Sequence, residues 1–64
     1  PMNKLEIAQE FAAIIYELED LAEEAISTAE NADIHDITTY NDGKAVAFTK
    51  AIEMLKSKAN SLLN

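Results

Sequence analysis

Two rows of apolar residues, each stepping by alternate threes and fours, restrict this chain to a small set of folds. Ile7, Phe11, Ile14, Leu18, Leu21 and Ala25 form the first row; Ala45, Phe48, Ile52, Leu55, Ala59 and Leu62 form the second. Such spacing puts every member of a row on one face of an α-helix, whereas a half-buried strand would alternate in twos. Two helices and a polar connector use up all 64 residues. The expectation is an all-α fold: an antiparallel two-helix hairpin, one domain over 1–64, that assembles into a homo-oligomeric helical bundle.

Size points to the assembly. A chain this short buries only about 60% of the surface its unfolded form exposes, and small domains are usually completed by disulfides, a metal or a partner chain. Cysteine is absent and His35 is the one histidine, so disulfides and a His-rich structural metal site are excluded. Both apolar arcs are also wider than one seam. Ala8, Ile15, Ala22 and Ala29 widen the first, and Ala47, Ala51 and Met54 widen the second. A wide arc serves more than one neighbour. The expected seam between chains comprises Phe11, Ile14, Ile15, Leu18, Leu21, Phe48, Ile52 and Leu55. A dimer would make a four-helix bundle.

Helix 1 is expected over about 3–30. Asn3 is a good N-cap type, Glu6 follows at capping-box spacing, and no Gly or Pro interrupts the segment. Residues 31–38 form the expected connector, with Ile34 and Ile37 folding back over the bundle end. Helix 2 has two possible starts. It can begin at Lys44, after a turn at Asp42-Gly43, or it can be capped by Thr38 or Thr39 with Gly43 inside. The second is preferred, because it puts Asp42 near the positive end of the helix dipole. Helix 2 is then expected over about 39–63.

The net charge of −7 is unevenly spread. Residues 3–30 hold eight acids and one Lys (−7), residues 31–43 hold three acids (−3), and residues 44–64 hold four Lys and one Glu (+3). This split favours pairing of the two helices, within a chain or between chains. The acidic balance and the lack of Arg argue against general nucleic-acid binding, which needs Lys and Arg to neutralise phosphates. The N-terminus lacks the basic and apolar regions of a signal peptide, and there is no apolar run of about 18 residues to span a membrane. A cytoplasmic location is expected. Pro1 before Met2 reads as a remnant of tag cleavage.

No arrangement supports catalysis. Glu17-x-x-Asp20 and Asp20-x-x-Glu23 have the spacing of metal-binding carboxylates, but helix 2 offers only Glu53 to face them. Ser27, Ser57 and Ser61 have no His on a neighbouring turn to serve as base. No enzyme activity, metal or cofactor is expected. Two surfaces are left as binding candidates. Glu17, Asp20, Glu23 and Glu24 form an acidic face suited to solvation or to a basic partner. Tyr40, Gly43, Lys44 and Phe48 could hold a nucleotide at a helix N-terminus, with backbone N–H groups and Lys44 on phosphate and an aromatic ring on a base.

The segment Tyr40-Asn41-Asp42-Gly43-Lys44-Ala45-Val46-Ala47-Phe48, continuing through Ala51-Ile52 to Leu55, resembles a pattern in small uncharacterised phage and mobile-element proteins. The resemblance implies a phage accessory protein acting in the host cytoplasm. The expected function is a non-enzymatic inhibitor or modulator of a host defence or regulatory factor, working through protein–protein contact. Its alternatives are an oligomeric sponge for a nucleotide immune signal at Tyr40–Lys44, and a structural or assembly helper.

Overall fold

The computed structural model describes residues 1–64, and the chain folds into two long helices side by side. Helix α1 spans Lys4–Asn31 and α2 spans His35–Leu63. The capping box forms as expected. The Asn3 side chain accepts from the Glu6 N–H at 2.8 Å, and Glu6 Oε1 accepts from the Asn3 N–H at 3.2 Å. The far end of α1 has no glycine cap. The Ala32 N–H donates to the Ala29 carbonyl at 3.4 Å, and side chains add to it: Asn31 Nδ2 donates to the Ser27 carbonyl at 2.8 Å, and Thr38 Oγ1 donates to the Ala29 carbonyl at 3.3 Å.

That last bond explains why α2 starts earlier than expected. Thr38 does not cap its own helix; it closes the C-terminus of α1. Ile34 takes the N-cap position with no side-chain hydrogen bond, and the connector shrinks to residues 32–34. Ile34 and Ile37 do not fold over the end of the hairpin; both are exposed.

Gly43 lies inside α2, as preferred from the sequence, and a Cβ built there meets nothing within 4 Å. Glycine in a helix interior costs about 1 kcal/mol relative to Ala. Gly43→Ala is therefore expected to raise the melting temperature by roughly 4–8 °C, read by circular dichroism.

The Thr38–Ala29 contact also sets the register of the hairpin. Counting outward in sevens from this pair brings Ala22 within about a turn of Ala45 and Ile15 within about a turn of Ile52, and all four are buried. Leu18 and Phe48 between them, and Phe11 and Leu55 beyond them, are half-buried. The seam is thus graded. Near the connector its buried residues are Ala22, Ala25, Ala29, Asn41 and Ala45; towards the free ends large side chains enter it, among them Ile15 and Ile52, together with half-buried Ala8 and Ala59.

This differs from the expected row on α1. Ile14 and Leu21 were expected in the seam and are 46% and 44% exposed, while Ala22 and Ala29 are buried in it. A three-residue connector holds the helices close at that end, and alanines permit the approach where Leu21 would wedge it open. Asn41 is the one buried polar residue, 7% exposed, and its Nδ2 donates to the Ile37 carbonyl at 2.8 Å. The hairpin measures 49 × 15 × 13 Å, and no side chain in it is fully buried.

Candidate functional site

Four of the eight residues expected between chains, Phe11, Leu18, Phe48 and Leu55, are shared with the hairpin's own seam, where they are only partly covered. Ile15 and Ile52 are buried within the hairpin, and Ile14 and Leu21 lie outside it. Helix geometry puts Ile7, Ile14 and Leu21 on one flank of the α1 seam. Ile37, Lys44, Ala51 and Lys58, also seven apart, occupy the corresponding flank of α2. Because the helices are antiparallel, the two flanks lie on the same side of the hairpin. That side is a continuous apolar strip through Phe11, Ile14, Leu18 and Leu21 on α1 and Phe48, Ala51, Leu55 and Leu62 on α2, with Lys44 and Lys58 set into it. Leu62 is 48% exposed.

The acidic residues border this strip. Glu17, Asp20, Glu23 and Glu24 are all exposed, but they do not form one cluster. Glu17, Asp20 and Glu24 line a shallow groove with Leu21, whereas Glu23 turns to the opposite flank of α1. The other surface groove lies on α2 and is lined by Lys50, Glu53, Met54, Ser57, Lys58 and Ser61. Each groove is walled by a single helix. One therefore offers a leucine among carboxylates, and the other a methionine among two lysines, a glutamate and two serines.

Tyr40, Gly43 and Lys44 are exposed on α2, while Phe48 is half-buried against α1. The Lys44 ammonium lies 5.3 Å from the centre of the Tyr40 ring, a cation–π distance. Because α2 begins at His35, these residues sit in its second to fourth turns. Backbone N–H groups there are spent on carbonyls four residues back, so the free donors of a helix N-terminus are not beside Lys44. Nor does either groove include this group. His35, expected on the connector, is the first residue of α2, and its ring lies 3.4 Å from Thr39 Oγ1.

No group of three or more His, Asp or Glu side chains is placed to hold a metal ion. No helix is long and apolar enough to cross a membrane. Compared with protein-family models, with curated proteins and with solved structures, the chain finds no match.

The sequence rows did not reveal the graded seam. Its signal was present in the run Ala22, Ala25, Ala29: three small residues at seam spacing beside a short polar connector.

Proposed function

We propose that this chain is a non-enzymatic binding protein, active as a homo-oligomer, that inhibits or modulates a host defence or regulatory factor through protein–protein contact. A phage origin, suggested by the Tyr40–Leu55 pattern, belongs to the same proposal. One observation carries the reading: along one side of the hairpin Ile14, Leu21 and Leu62 are 44–48% exposed beside half-buried Phe11, Leu18, Phe48 and Leu55, with Glu17 and Glu24 next to Leu21. Uncovered apolar strips rimmed by charge are typical of protein contact surfaces. The acids give such a contact polarity and favour a basic partner.

The test is a plating assay. Bacterial strains that each carry one defence system are challenged with phage, with and without this protein. The proposal expects restored plaques in at least one strain. It also expects loss of that effect for the Asp20→Asn, Glu23→Gln double variant, which neutralises one acid of the Leu21 groove and one on the opposite flank of α1 and should keep wild-type helicity. No rescue in any strain, or full rescue by the double variant, contradicts the respective part of the reading.

A further inference from the structure

We propose that the apolar strip is covered by a second copy of this chain, with α1 of each copy antiparallel on α2 of the other and both connectors at the same end of a two-fold symmetric four-helix bundle. This deepens the protein-contact reading above and rests on it, naming the first basic partner that the acidic border of α1 meets.

Surface area argues that the hairpin has room for a partner of standard interface size. The chain exposes 4931 Å², whereas a compact monomer of its 7.0 kDa mass would expose about 4,000 Å². The excess, about 900 Å², is close to the roughly 800 Å² that each partner contributes to a standard protein interface. The radius of gyration agrees: 14.8 Å, against about 11 Å for a compact chain of this length.

Charge argues that the cover is a second copy, and it chooses the arrangement. Two hairpins can meet strip to strip around a two-fold axis in two ways. If the axis runs across the helices, α1 lies on α1 and α2 on α2. Two segments of −7 then face each other, and so do two of +3. If the axis runs along the helices, α1 lies on α2 and the signs are opposed.

The second arrangement also matches residue by residue. The outer edge of α1 carries Glu10, Glu17 and Glu24, seven apart and all exposed. The hairpin register places positions 57, 50 and 43 of α2 near those three levels, and a rotation along the helices keeps every level. Lys58 and Lys44 of the second copy therefore come within about a turn of the levels of Glu10 and Glu24, while Lys50, near the level of Glu17, lies about 100° further round α2. Lys44 and Lys58, which interrupt the apolar strip in a single hairpin, gain carboxylate partners at its border. Such rows act as the charged edge positions of helical bundles, which set partner and orientation.

A charge swap tests both the occupant and the arrangement. One variant carries Glu10→Lys, Glu17→Lys and Glu24→Lys; the other carries Lys44→Glu, Lys50→Glu and Lys58→Glu. By native mass spectrometry the wild type should be dimeric, and each variant alone should dimerise at least tenfold more weakly. An equimolar mixture should form a one-to-one heterodimer, in which both edges again oppose unlike charges. If either variant is unfolded alone, recovery of helicity on mixing is the same supporting result. A monomeric wild type, a variant that keeps wild-type dimerisation, or a mixture that forms no heterodimer overturns the proposal. These outcomes are independent of the plating assay, so a failed pairing and a failed inhibitor are told apart.

Discussion

Ile52→Asp will abolish the fold. Ile52 is 9% exposed, within about a turn of Ile15 in the wide half of the seam, and has no cation in the seam beside it. Burying an unpaired carboxylate costs several kcal/mol, at least the roughly 2–7 kcal/mol of an unsatisfied neutral polar group. A single core of this size rarely supplies more than about 3–5 kcal/mol in total. The penalty therefore matches or exceeds the whole stability, and far-ultraviolet circular dichroism at 25 °C should show loss of most helical signal. Tyr16→Asp is the control. Tyr16 is 67% exposed, and its replacement should leave the helical signal nearly intact. Equal losses in both variants would show that the seam does not run through Ile52.

Ala25→Leu should cost nearly as much in relative terms, for the opposite reason. Ala25 is the most buried residue of the chain, at 3% exposed, and lies within two turns of the three-residue connector. Added methylenes have no room there, and overpacking costs about 1–3 kcal/mol. The melting temperature should fall by roughly 4–8 °C for each kcal/mol lost. The same Ala→Leu change at Ala13, which is exposed on the far side of α1, should shift melting little. An Ala25→Leu variant that melts at or above the wild-type temperature would show that the connector end is not tightly closed.

These two residues also mark how far the fold was legible in the sequence. Helix identity was plain, since periodicity, the Asn3–Glu6 cap and the lack of breakers in α1 all agree. Which edge of the α1 arc faces α2 was not. The row through Ile14 and Leu21 and the row through Ile15 and Ala22 share Phe11, Leu18 and Ala25, so their spacing is the same. Side-chain size near the connector separates them, and that matters only once the connector length is known. The connector is shorter than its residue types suggest, because Thr38 and Thr39 are good N-cap types. A tertiary bond to the Ala29 carbonyl claims Thr38, and local propensity cannot anticipate a partner nine residues back.

The candidate surfaces divide in the same way. The acids of α1 could be read as exposed from sequence. That Glu17 and Glu24 border the apolar strip while Glu23 turns away from it depends on the seam edge, which only the fold fixes. The Tyr40–Lys44 group was read as a helix N-terminus, and its amide donors vanish once α2 begins at His35.

The central claim is that one hairpin is an incomplete unit whose apolar strip exists to be covered. Sedimentation equilibrium of the wild type, from about 1 to 100 µM and with helicity followed on the same samples, tests it most directly. Mass action then makes both mass and melting temperature rise with concentration. The expected result is a helical species of twice the 7.0 kDa chain mass across the upper part of this range. A fully helical species that stays at 7.0 kDa throughout, with a melting temperature independent of concentration, would contradict the account.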